Sequence, residues 1–320
     1  MTSETIDVVV RRREMQGPSV VVLDLAPAPG QSLPAFEAGA HVDLHLGDGL
    51  VRQYSLCGDP ADASCYRLGV LRDPASRGGS EAVHQRLAEG TALRISAPRN
   101  HFPLTMDARH SILVGGGIGV TPMIAMAHAL HRAGRSFELH YCARSRARTG
   151  FLEELARSPF ADRVRYHFSE LGEDQRIDAA ALVAAAGAAG THLYVCGPGG
   201  FMDAVGAAAS AAGLAPDRIH REYFNAEVDT SGAGFEVVAA ASGKSVRVAE
   251  GQTIVAALKG IGIQVDVSCE EGVCGTCVCT VLEGECDHRD VYLTDEEKAD
   301  NDQIMTCCSR AKSPRLVLDI

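Results

Sequence analysis

ILVGGGIGVTPM, residues 112–123, decides how the middle of this chain folds. An apolar run ends in three glycines, and TPMIAMAHALHRAG then continues with helical spacing. The pattern is a strand, a Gly-rich turn and a helix start, with Thr121 suited to cap and Pro122 suited to the first helical position. Such a helix N-terminus binds phosphate through its free amides and its dipole. The motif is not a full G-x-G-x-x-G, because Val120 stands where the third glycine would be, and a merely tight turn is the plainer reading. Moving outward, strand FELHYC follows the helix, and strand THLYVC runs into a second Gly-rich turn, VCGPGGFM (195–202), ahead of another helix. Alternation of strand and helix from about Asp107 to Phe224 builds a parallel sheet with helices on both faces. Two Gly-rich turns at C-terminal strand ends flank one crevice.

Toward the N-terminus the pattern changes. From Ile6 to about Leu104 the chain reads as short strands broken by Gly and Pro: VVVLDLAP, HVDLHLG, RQYSLC, YRLGVLRD and ALRISAP. HVDLHLG (41–47) sets Val42, Leu44 and Leu46 on one face and His41, Asp43 and His45 on the other, a half-buried strand. One helix interrupts, with Ser80 as its N-cap before EAVHQRLAE and Gly90 as its stop. Many short strands and one helix predict an antiparallel barrel. Arg52 in RQYS offers a fork for phosphate, and SRGGS (76–80) opens a helix whose N-terminus suits an anion. A strand arginine and an ordinary cap are the plainer alternatives.

Toward the C-terminus the signal is cysteine. Four of the eleven are scattered at Cys57, Cys65, Cys142 and Cys196, while seven lie between Cys269 and Cys308. An odd number with no export signal makes a poor disulfide scaffold and points to metal or redox chemistry. Cys269, Cys274 and Cys277 read C-x4-C-x2-C with Cys307 at a distance, the plant-type [2Fe–2S] spacing. Structural zinc is the alternative, but it favours paired C-x2-C units and only one such pair fits. Cys279, Cys286 and Cys308 read as bystanders, with Cys308 the competitor for the fourth position.

Composition sets the bounds. A chain of 320 residues and 33.8 kDa suits two or three domains. With 46% hydrophobic and 22% charged residues it is globular rather than disordered. No apolar run approaches the ~18 residues of a membrane span, and MTSETIDVVVRRREM lacks a secretory h-region, so a cytoplasmic protein without membrane attachment is expected. The 41 acidic against 30 basic residues give a net charge of −11, which disfavours nucleic acid and suits a partner with a basic docking face. Residues 233–320 carry −7 of it, from 15 acids and 8 bases. The expected divisions are an antiparallel β-barrel over 1–105, an α/β parallel-sheet domain over 106–225, a small polar linker over 226–232, and an α+β ferredoxin-type domain over 233–320.

Together these motifs resemble the ferredoxin–NADP reductase superfamily, and within it the phthalate dioxygenase reductase and vanillate O-demethylase reductase group. The resemblance covers essentially the whole chain. RQYSLCGDP resembles the flavin motif R-x-Y-S-L, SRGGS the flavin phosphate turn, and PRNHFPL (98–104) the join between domains. GGGIGVTPM and CGPGGFM resemble the two nicotinamide-site motifs, REYF (221–224) the E-x-F end of that domain, and TCCSRAKSPRLVLDI the ferredoxin C-terminus.

The resemblance implies FMN, NADH and a [2Fe–2S] cluster in a β-grasp ferredoxin domain, with Cys307 rather than Cys308 completing Cys269, Cys274 and Cys277. It implies that Arg52, Gln53, Tyr54 and Ser55 contact FMN, with the backbone of Gly69, Val70 and Leu71 along the ring edge. Leu71 stands where the family pattern has lysine. Gly78, Gly79 and Ser80 would hold the phosphate, with Thr121 near the ring and Phe224 stacked on it; for Tyr54 and Phe224 a core role is the alternative. For NAD the implied residues are Gly117, Gly119 and Pro122 on one turn, and Cys196, Gly197, Pro198 and Met202 on the other. Cys196 would lie beside the nicotinamide or be an inert strand-end thiol. Arg144 and Ser145 complete the set. They open ARSRART (143–149), which has no acid for a ribose 2′-hydroxyl; its arginines suit a 2′-phosphate, a pyrophosphate or a solvated loop, while the family favours NADH. The implied function is that of a monomeric reductase component passing electrons to a Rieske non-haem iron oxygenase. A reductase for a cytochrome P450 and a non-enzymatic iron–sulfur sensor are the alternatives.

Overall fold

The computed structural model describes residues 5–74, 76–172, 175–225 and 228–320. They form two compact units, Met1–Glu222 and Tyr223–Ile320. Of the expected linker, residues 226 and 227 lie outside the described residues.

The first unit begins with strands β1 (Thr5–Gln16), β2 (Val20–Pro27), β3 (Ala40–His45), β4 (Val51–Ser55) and β5 (Tyr66–Leu71), helix α1 (Gly79–Arg86), and strands β6 (Ala92–Ser96) and β7 (Arg99–Asn100). They pair antiparallel in the order β4-β3-β6-β1-β2-β5, with β7 on β3. A bridge between Leu56, just past β4, and Leu68 of β5 joins the two ends of that order, so the sheet closes as the expected barrel.

Two local expectations are corrected. β3 is not half-buried: His41 and Asp43 are 2% and 6% exposed. Arg99 covers Asp43 with a 2.6 Å ion pair, and His101 stacks on His41. Ser80 is not the cap of α1 either. Gly78, at φ 88°, holds that place, and the Ser80 hydroxyl accepts the Asp73 amide at 3.1 Å. The helix also stops at Arg86, short of Gly90.

The rest of this unit comprises β8 (His110–Gly116), α2 (Val120–Arg132), β9 (Phe137–Ala143), α3 (Leu152–Ala156), β10 (Val164–Phe168), α4 (Ala179–Ala186), β11 (Thr191–Cys196), α5 (Gly199–Ala211) and β12 (Ile219–Glu222). The five strands are all parallel in the order β10-β9-β8-β11-β12. The chain therefore reverses its direction of winding between β8 and β11, where open α/β sheets bind ligands. Thr121 does not cap α2. It is the second helical residue, and its hydroxyl donates to the Ile118 carbonyl at 2.9 Å. The barrel and the parallel sheet share one hydrophobic core, and β2 is buried on both faces. Gly150 lies against Val20 of β2, and Phe151 against Gly69 of β5.

The second unit comprises β13 (Phe235–Ala239), β14 (Lys244–Val248), α6 (Ile254–Gly260), β15 (Val278–Glu283), β16 (Cys286–Asp287), α7 (Asp295–Asp300), β17 (Gln303–Met305), β18 (Arg310–Ala311) and β19 (Arg315–Leu318). Its mixed sheet runs β14-β13-β19-β15-β17, with β13 and β19 parallel and the other pairs antiparallel. Helix α6, capped by Thr253 on the Ala256 amide, supplies Ile254, Ala257 and Leu258 to this unit's own core. Cys279 and Cys286 belong to that core. Arg310, 2% exposed, lies over the Phe235 ring and donates to the carbonyls of Gly232, Ala233, Ala249 and Gln252.

Candidate cofactor sites

The barrel gathers the flavin candidates on β4, β5 and the start of α1. Arg52 lies across Gly79, where a methyl group would collide with its Cγ, and its Nη2 donates to the Arg77 carbonyl at 3.1 Å. A guanidinium at a helix N-terminus fits a phosphate. Gln53 Nε2 is buried with no hydrogen-bond partner among the described residues, so a buried donor in this cradle is left for a ligand acceptor. Tyr54 is half-buried, and burial raises its phenol pKa well above the usual value, so it stays neutral. Gly69 faces Thr121 and Phe151, bringing the ring-edge strand to the first Gly-rich turn. These residues fit a flavin mononucleotide. Phe224 belongs to the second unit and is 37% exposed.

Beside this cradle lies a cavity of about 760 Å³ between Gly116–Ile118, the end of β9, the loop after β10, and α5. Gly117, Arg144, Ser145 and Pro198 are in its wall, as are Arg148 and Arg176, while Leu71 and Val20 enter it from the barrel. Leu71 is thus shared between the ring-edge strand and this cavity. Gly119, Pro122, Cys196 and Met202 are buried behind the wall rather than in it. Gly119 is pressed against the Cys196 carbonyl so closely that no Cβ fits, and Gly197 lies on Gly116. Burial raises the Cys196 thiol pKa well above the usual value, which makes it a poor nucleophile. The cavity fits an extended dinucleotide.

In the second unit Cys269, Cys274, Cys277 and Cys307 are all buried. Cys307 hydrogen-bonds with Cys269, Cys277 and its neighbour Cys308, and the Cys269 thiol also receives the Glu271 amide at 3.3 Å. Hydrogen bonds from Cys274 and Cys307 hold Cys269 toward the thiolate. The Cys308 sulfur, besides meeting Cys307, lies against Gly272 and within 3.8 Å of the Met305 carbonyl. Gly272 has φ 74°, and a methyl there would strike that sulfur. Four soft thiolate donors fit a [2Fe–2S] cluster.

Known proteins resemble this chain along nearly its whole length. Residues 238–312 match the family of 2Fe-2S iron-sulfur cluster binding domains, and 113–206 match the oxidoreductase NAD-binding domain. The vanillate O-demethylase oxidoreductase of Pseudomonas sp. (strain HR199 / DSM 7063) is 51% identical over 98% of this chain and 100% of its own length. The chain belongs to the phthalate dioxygenase reductase and vanillate O-demethylase reductase group. The crystal structure of phthalate dioxygenase reductase, described as carrying electrons from pyridine nucleotides to [2Fe-2S], superposes with a TM-score of 0.76 at 36% identity, covering 99% of this chain and 98% of that one. An intact type IV self-sufficient cytochrome P450 monooxygenase gives 0.85 at 41% identity, covering 99% of this chain and 41% of the larger one.

This member of the group is an NADH-dependent oxidoreductase with FMN and a [2Fe–2S] cluster, and it acts as the reductase component of an oxygenase system. Among the described residues no helix is long and apolar enough to cross a membrane. One half-buried acid in the reductase was given no role of its own by the motifs. Glu222, the last residue of β12, accepts the Ser55 hydroxyl at 3.2 Å and pairs in register with Cys196. Burial of its carboxyl pushes its pKa up to about 8, the Ser55 bond opposing. The only signal in the sequence was its place in REYF, which says nothing of the β4 serine it meets.

Proposed function

We propose that this reductase takes electrons from NADH in the cavity beside β8 and β11, and passes them by way of FMN and the cluster to a Rieske-type oxygenase that demethylates an aromatic substrate. The contact that carries the reading is Thr121 against Gly69, which brings the nicotinamide turn to the flavin strand. FMN supplies the conversion of a two-electron donor into single electrons, and the cluster relays them one at a time. The chain's own residues position both. Arg52 and the α1 N-terminus hold the flavin phosphate, with Gly78, Gly79 and Ser80 forming the turn. Gln53 donates to the ring, and Tyr54 and Ser55 flank it beside Gly69 and Val70. Gly117, Pro198, Arg144 and Ser145 line the nucleotide's path, with Gly119, Pro122, Cys196, Gly197 and Met202 packed beneath. Cys269, Cys274, Cys277 and Cys307 hold the cluster.

The substrate class comes from the 51% identical vanillate O-demethylase oxidoreductase. The self-sufficient P450 neighbour favours a second reading, in which the acceptor is a haem monooxygenase. Eleven cysteines outside any disulfide suit the reducing cytoplasm, and we take the chain to act there as a monomer. The test mixes purified reductase, NADH and a vanillate-demethylating Rieske oxygenase, and measures demethylated product against NADH consumed. Product that depends on the reductase is expected. Ferricyanide reduction without any reduction of the oxygenase would overturn this acceptor and turn attention to a P450. Comparable or better kcat/KM with NADPH would overturn the choice of nicotinamide.

A further inference from the structure

A chain of ionisable side chains crosses the parallel sheet and ends at the dinucleotide cavity. Glu138 of β9 lies between two imidazoles, with Oε1 3.6 Å from His110 Nε2 and Oε2 3.2 Å from His140 Nε2. His140 Nδ1 then meets His167 Nε2 at 2.9 Å, with the rings stacked 5.2 Å apart. Of these four groups only His167 lines the cavity.

Proton counting fixes what this chain can do. The two histidines hold Glu138 down to about 2, so it is ionised and acts only as an acceptor. His140 Nε2 stands 3.2 Å from Glu138 without the alignment of a hydrogen bond, and His140 Nδ1 and His167 Nε2 share one proton between them. The Gln175 backbone also bonds to the His167 ring and favours its charged form. Two protein groups thus face His167, and one further proton on its ring serves the second of them, with Glu138 in the same chain as counter-charge. Without an anion nearby, burial and His140 hold His167 below its ordinary value.

The other groups facing His167 favour an anionic ligand. Arg144, Arg148 and Arg176 line the cavity from the loops, and among the described residues no carboxylate does. Cys142, its register partner on β9, is neutral because burial pushes its thiol up to about 12. Arg165, on the same strand, donates to the Asp162 and Val164 carbonyls. Among the described residues helices α4 and α5 present only the uncharged Ala179, Phe201, Ala204, Val205 and Ala208.

We propose that His167 supplies positive charge beside the phosphates bound in this cavity, backed by His140 and Glu138, and that an adenine dinucleotide binds together with one proton taken up by His167 from solvent. The inference rests on the cavity being the NADH site, and the experiment separates the two. The oxidised full-length holoprotein is titrated calorimetrically with ADP-ribose, which carries both phosphates but no nicotinamide and so no hydride to transfer, in buffers of different ionisation enthalpy. Net proton uptake is expected near neutral pH, with the dissociation constant rising with pH by up to about tenfold per unit where uptake is complete. His167→Gln should abolish the uptake and Glu138→Gln should reduce it, with the flavin spectrum as the folding control. Adenosine, which lacks phosphate, should bind without uptake. If ADP-ribose fails to bind, the cavity is not the nucleotide site. If it binds to wild-type protein with no proton uptake, His167 does not have this role. If adenosine takes up the same proton, phosphate is not what His167 meets.

Discussion

At the scale of single residues, Glu222 and Cys307 give the sharpest expectations. A carboxyl whose pKa rises to about 8 in the folded chain, from an ordinary 4.5, binds a proton more tightly there than when unfolded. Its contribution to stability is complete below pH 4.5 and is lost as pH rises through 8. Glu222→Gln should therefore leave Tm unchanged at acidic pH and raise it relative to the parent at pH 8.5, as read by calorimetry. An equal gap at both pH values would show that Glu222 does not titrate in this window. For the cluster, Cys307→Ser should bleach the visible absorption and the EPR signal of the reduced protein, while Cys308→Ser should preserve both; the reverse would exchange their roles. The ligand spacing was legible because C-x4-C-x2-C is a local constraint. The Glu138–His140–His167 chain was not, because its members meet only when neighbouring strands come into register.

At the scale of elements, most strands and helices were readable from period and punctuation, and the errors share a cause. Ser80 and Thr121 look like caps, yet glycines two residues earlier cap their helices and place both side chains inside the first turn. β3 looked half-exposed because its alternation is real, but Arg99 and His101 cover its polar face from a later segment. Helix α1 carries its own expectation. Arg52→Gln removes a charged fork from the turn beside Gly79, and charge-assisted hydrogen bonds contribute about 1.5–3 kcal/mol. Flavin affinity should fall roughly 10- to 100-fold, measured by fluorescence on dilution. Unchanged affinity would place the phosphate elsewhere.

At the scale of the whole molecule, the two units have separate cores, and the chemistry divides with them. A protein ending at residue 225 should remain a folded flavoprotein in which NADH reduces the flavin and ferricyanide is still turned over. Its transfer to cytochrome c or to an oxygenase should fall steeply, because the relay and the acidic surface leave together. Full-rate delivery to the oxygenase by the shortened protein would take the cluster off the path.

Arg310 bears on how the chain would come apart. By holding the carbonyls of Gly232 and Ala233 together with those of Ala249 and Gln252, it fastens the start of the ferredoxin unit to the body of that unit. A protease needs about a dozen residues of backbone free to enter its cleft, and this clamp withholds them from Gly232 onward. Limited digestion should therefore yield a C-terminal fragment beginning upstream of Gly232, while Arg310→Met should move the cut downstream and shorten the fragment's life.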